Sequence, residues 1–132
     1  LGPFVRFFDS QFTLDTVAEE EIHLRVEGED GFLMTGTNNV AEISRPLEEL
    51  IGATWGVHHQ YPDGFALYTG TLFAPTQDRG EPGSGFTHHS GDRVTISSAH
   101  LGTLENTTAP TESLAPWNFG IRDLMRYLST LS

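Results

Sequence analysis

Thr69-Gly70-Thr71, closing the alternating run Phe65-Ala66-Leu67-Tyr68, has the clearest capacity for chemistry. Two hydroxyls flank a residue without a side chain, so O–H donors stand beside accessible backbone N–H groups, which suits a carboxylate or phosphate oxygen. The turn signal Pro62-Asp63-Gly64 precedes the run, and its period of two predicts a strand over Phe65 to Gly70. A glycine inside a strand is tolerated where a bulge forms or another group approaches the backbone. The same residues also read as a plain bulge between ordinary strand threonines. Downstream, Arg79 offers a bidentate fork to a substrate carboxylate, or a surface ion pair to its neighbours Asp78 and Glu81. Gln77 is placed for a hydroxyl contact. His88 and His89 precede the Gly91-Asp92 turn, where His88 reads either as a proton carrier or as a solvent-facing loop histidine.

Composition narrows the chemistry. Eighteen acids face seven bases, giving a net charge of −11 that argues against a nucleic-acid partner. All seven bases are arginine, and without lysine neither a Schiff base nor a Walker-type phosphate loop can operate within these residues. Gly80-Glu81-Pro82-Gly83-Ser84-Gly85 is therefore expected to be an active-site loop or a connection, not a nucleotide cradle. No cysteine is present, and a reducing cytoplasm is the default compartment. Leu1 to Phe8 is too short for a signal peptide's apolar region, and no membrane span is expected.

The histidines offer no convergent metal-ligand spacing. His23 falls on the polar side of a strand, and adjacent His58-His59 would point apart at a helix end. Glu27-Gly28-Glu29 and Glu19-Glu20-Glu21 read as solvated acids, on a hairpin turn and on the approach to a strand.

These residues need a scaffold. Ile22, Leu24 and Val26 alternate with Glu21, His23, Arg25 and Glu27; after Gly28-Glu29-Asp30-Gly31 a second strand runs from Phe32 to about Gly36, predicting an antiparallel hairpin. Thr13 to Ala18 reads as a linker with one helical turn. A helix is predicted from Arg45 to about His58, capped by Ser44, with Pro46, Glu48 and Glu49 in its first turn and Leu47, Leu50, Ile51 and Trp55 as its apolar stripe. Arg93 to Ser97 and Leu101 to Thr107 read as short strands. Beyond the loop Thr108 to Ala115, a last helix presents Trp117, Ile121, Leu124 and Leu128 as a docking face.

Thr69-Gly70-Thr71, Gly91-Asp92 and Leu101-Gly102-Thr103-Leu104, in that order, resemble the carboxyl-terminal signature of the fumarylacetoacetate hydrolase superfamily. Leu1-Gly2-Pro3-Phe4 looks like the strand after that family's metal region, Glu21 to Thr37 like its peripheral hairpin, and Ile43 to Leu47 like the entry to its helix. Phe73-Ala74-Pro75 and Phe86-Thr87 look like the active-site loop of the 2-keto-3-deoxy-arabinonate dehydratase-like branch. The resemblance implies that residues 1–132 are the carboxyl-terminal portion of a single catalytic domain, with the metal carboxylates outside them. It implies a magnesium- or manganese-dependent parent enzyme, a homo-oligomer acting on 2-oxo acids, as a sugar-acid dehydratase or a C–C bond hydrolase. Thr71 and Thr69, with Gly70, would hold the substrate carboxylate. A stand-alone β-rich module binding a small acid without chemistry is the alternative.

The expected fold is thus α+β and mostly β, with two helices: part of a rolled, mixed β-sandwich with the Thr-Gly-Thr strand internal and the last helix packed outside. Exposed apolar surface, or a partner chain, is expected with it.

Overall fold

The computed structural model describes residues 2, 4–71 and 73–131. Its centre is one four-stranded antiparallel sheet of order β2-β1-β3-β4, built from β1 (Glu21–Glu27), β2 (Leu33–Asn39), β3 (Arg93–Ser98) and β4 (Gly102–Thr107). Helices α1 (Leu14–Ala18), α2 (Leu47–Thr54) and α3 (Ile121–Ser129) complete an α+β domain. Among the described residues no second sheet and no parallel pair forms. The expected mostly-β, mixed character is corrected accordingly: most described residues lie outside strands and helices.

The hairpin forms where alternation placed it. Val26 pairs with Met34, Leu24 with Gly36 and Ile22 with Asn38, so the apolar residues of β1 share a face with the even-numbered residues of β2. Val94 and Ile96 of β3 continue that face opposite Val26 and Leu24, and Leu104 of β4 extends it. Val26 and Met34 are fully buried there. At the turn, Gly31 has φ +84°, which glycine adopts without steric cost, and Asp30 Oδ1 accepts from Phe32 N at 3.0 Å. On the polar face, Glu27 accepts from Arg25 and from its cross-strand partner Arg93, each at 2.7 Å. These hydrogen bonds lower its carboxyl to about 2.

The segment after α2 lies against β2 without joining the sheet. The Phe73 ring sits over Gly36, where a Cβ would collide with it, and Gln77 Nε2 donates to Leu33 O at 3.1 Å. Phe65 to Gly70, expected as an internal strand, pairs with nothing and is exposed. Alternation makes a strand only where a sheet edge accepts it. Here Gly64 and Gly70, at φ +84° and +79°, turn the chain at both ends of the run. Gly2 and Phe4 likewise belong to no strand, and Leu1 and Pro3 of that expected strand lie outside the described residues.

Both longer helices are shorter than predicted. In α2 the N-cap is Pro46, not Ser44, and the helix stops before extended Trp55. Beyond it, Gly56 and His59 exchange backbone hydrogen bonds at 3.1 Å, so the glycine and both histidines form a separate turn. Helix α3 begins only at Ile121, after Gly120, leaving Trp117 outside it and 92% exposed. Its stripe residues Ile121, Leu124 and Leu128 remain exposed, so the expected packing of this helix is not made. The one-turn α1 matches its prediction, closed by a Thr13–Thr16 capping box.

Two glycines should respond oppositely to added side chains. Gly36→Val pushes a branched side chain into Phe73 and should cost about 1–3 kcal/mol in urea unfolding. Gly52→Ala, within α2 and with nothing near the added Cβ, should gain up to about 1 kcal/mol.

Candidate functional site

Three elements converge at the carboxyl end of β2. Asn38 of β2, Val40 and Ile43 of the turn that follows it, and Thr69, Gly70 and Thr71 line a small cleft of about 40 Å³. Asn38 belongs here because it follows Met34 and Gly36 on the sheet face that the Phe73 ring overlies. The turn after β2 is fixed by Val40 N donating to Glu20 O at 3.0 Å and Ala41 N donating to Asn39 Oδ1 at 3.0 Å. Gly70 owes its place to a positive φ, and the space where its Cβ would stand is open. The Thr71 hydroxyl accepts from Phe73 N at 3.2 Å and donates to Phe73 O at 3.3 Å. It therefore closes a local turn at the cleft mouth, a role that the sequence reading did not assign.

The opposite end of the sheet holds a buried ion cluster. Arg79, only 7% exposed, inserts under the hairpin turn, with Nη1 at 2.5 Å from Asp92 Oδ2 and Nη2 at 2.8 Å from Asp92 Oδ1. Nη2 also meets both carboxylate oxygens of Asp30 at 3.0 Å. The guanidinium stacks on the Phe32 ring, 4.5 Å from its centroid. Gly28 makes this approach possible, since any Cβ there would strike Asp30 and Arg79. Asp92, 1% exposed, also accepts from His89 N at 2.9 Å, and Thr108 Oγ1 accepts from Asp92 N at 3.1 Å. The Arg79 hydrogen bonds, against the opposing effect of burial, hold the Asp92 carboxyl well below the usual carboxylate range.

The proposed site residues are therefore not all brought together. Thr69, Gly70 and Thr71 share a cleft, while Arg79 and His88 lie past the other end of β2, about 20 Å away by strand rise. Arg79 as a substrate fork is corrected: both edges of its guanidinium are already bound to Asp30 and Asp92, and neither Asp78 nor Glu81 is its partner. Asp78 instead accepts from Gly83 N and Gly85 N, at 2.7 Å each, and gathers the glycine loop. Gln77 spends its amide on Leu33 O. His88 keeps a 3.4 Å contact from Nδ1 to Asp92 Oδ2 and packs its edge on Phe86, too far from Thr71 to serve the same substrate.

Sequence reasoning missed Asn38, because β2 was ended at Gly36, and Asp30 with Asp92, whose partner is remote in the chain. A signal for the second was present: Arg79 stands in a glycine-rich loop that leads into the Gly91-Asp92 turn.

The residues present do not fit a magnesium site. The cleft offers hydroxyl, carboxamide and backbone groups but no carboxylate, whereas magnesium is ordinarily held through one or two carboxylates. Glu27 is engaged by two arginines, and among the described residues no group of three or more His, Asp or Glu gathers to hold a metal. Among the described residues no helix is long and apolar enough to cross a membrane.

Acid should loosen the ion cluster. Asp92 has a folded-state value below its ordinary 3.8, so its stabilising contribution is present above about pH 4 and is lost as pH falls towards the folded value. The Tm should hold between pH 7 and 5 and drop below about pH 4. Asp92→Asn should lower Tm at pH 7 by roughly 10 °C, because Arg79 is left buried without its closest counter-charge, and should flatten the acid limb. Calorimetry across pH checks both.

No family model, curated protein or solved structure matches this chain.

Proposed function

We propose that the Thr69–Thr71 cleft binds the carboxylate of a 2-oxo acid, and that the chain is the carboxyl-terminal portion of a catalytic domain resembling the fumarylacetoacetate hydrolase superfamily. The observation that carries the reading is the shared cleft of Thr69, Gly70 and Thr71, with hydroxyl and backbone donors around a small volume. In this reading the four-stranded sheet is one part of that family's rolled β-sandwich, and the parent enzyme is a cytoplasmic homo-oligomer. The reaction favoured by the resemblance is dehydration of a 2-keto-3-deoxy sugar acid; C–C bond hydrolysis of an acylpyruvate-type substrate is the alternative. The magnesium or manganese ion of such an enzyme would be held by residues outside this chain.

A non-catalytic acid-binding module is the second reading. It is favoured by one observation: the cleft lining contains no histidine or carboxylate to move a proton. The two readings share carboxylate binding and differ in turnover by the parent enzyme.

Amide NMR of the 132-residue chain titrated with millimolar 2-oxobutyrate should shift Gly70 and Thr71 selectively. An unresponsive Gly70 and Thr71 removes both readings. Thr71→Val should weaken binding, and lower kcat/KM of the parent enzyme, about ten- to a hundredfold, as expected for losing a hydrogen bond to a charged group. Thr71→Ser, which keeps the hydroxyl and its turn to Phe73, should stay within a few-fold of wild type.

A further inference from the structure

We propose that Asn38 is the second contact of the carboxylate cleft and sets its specificity for the compact head of a 2-oxo acid. The inference rests on the carboxylate-binding reading and deepens it. Asn38 is the one side chain of the lining that comes from the sheet and carries a carboxamide, facing the cleft shared with Thr69, Gly70 and Thr71. Two N–H donors and one carbonyl acceptor give it capacity for an anion's oxygen alongside a structural contact. Its position is fixed by sheet register, opposite Ile22 in the β1–β2 pair, whereas the threonines stand on irregular chain. A donor on a strand is held more firmly than one on a loop.

Size points to the ligand. A water-sized group needs about 10–15 Å³ of such space, so 40 Å³ takes roughly three oxygen-sized groups. A 2-oxo acid head presents three oxygens, two on the carboxylate and one on the neighbouring keto carbon. Any longer chain of the substrate must extend out of the cleft. Charge points the same way: the chain carries −11, and a neutral carboxamide adds no repulsion where a carboxylate would.

The test is the 2-oxobutyrate titration repeated on two variants, with butyrate as a probe lacking the keto oxygen. Asn38→Val keeps strand propensity and removes the donors; its affinity should fall about tenfold or more. Asn38→Asp keeps the shape and adds a negative charge, and should abolish measurable binding. Wild type should prefer 2-oxobutyrate to butyrate, and Asn38→Val should lose that preference. Amide spectra of β1 establish that each variant keeps the sheet, and either variant alone suffices for the decision. Wild-type affinity in a folded Asn38→Val or Asn38→Asp protein overturns the role of Asn38 while leaving carboxylate binding intact. Absence of any wild-type response at Gly70 and Thr71 overturns the underlying reading and this inference with it.

Discussion

The arrangement depends on one buried cation. Arg79 cannot leave water without partners, because a desolvated charge is costly unless geometry and hydrogen bonds compensate it. It finds them in Asp30 of the first hairpin and Asp92 before β3, 49 and 13 residues away in the chain. The long excursion between β2 and β3 is thereby anchored at one end of the sheet. Phe73 over Gly36 and Gln77 on Leu33 O extend that anchoring along β2. The Thr71 cleft lies further along the same strand, where the threonines meet Asn38 and the turn that follows.

Both ends of the sheet are closed by a buried carboxylate. At the end opposite Asp92, Glu20 is 4% exposed and receives His100 Nδ1 at 2.7 Å and His100 N at 3.1 Å. Burial alone would raise its carboxyl, but hydrogen bonds from Ser98 and His100 outweigh that and lower it. Phe12, 2% exposed, packs against the same histidine ring. The apolar face between these two ends is covered unevenly: Val26 and Met34 are sealed, while Ile96 stays 40% exposed. The expected exposed apolar surface is present, in the irregular residues before α1, between Trp55 and Tyr68 after α2, and in α3 with its approach.

Local alternation made the fold legible only in part. β1 was readable because it carries its own period of two, and β2 because a glycine-bearing turn folds the chain back onto it; Val94 and Ile96 repeat the period in β3, whereas β4 brings Leu104 alone to that face. Phe65 to Gly70 carries the same period and is not a strand, because pairing is a property of the sheet edge and not of the run. The helix after Pro46 was legible in type but not in length, since Gly56 closes a turn with His59 that propensity cannot foresee. The threonines of the cleft could be found as a tripeptide, whereas Asn38 could not, because its membership rests on three residues by which β2 outlasts the predicted strand. Arg79 was visible as a fork, but its acids were set by contacts remote in sequence.

The distribution of charge limits what the cleft can do. Arg6, Arg25, Arg45, Arg79, Arg93 and Arg126 each hold an acid of this chain, and no arginine lines the cleft. An anion there meets hydroxyl, carboxamide and backbone dipoles within a field of net charge −11. Such dipoles act at contact distance, while the net charge acts over a Debye length, about 8 Å at physiological ionic strength. Salt therefore screens the repulsion more than the attraction, so the proposed carboxylate binding at this site should strengthen with ionic strength, the reverse of a site built on arginine.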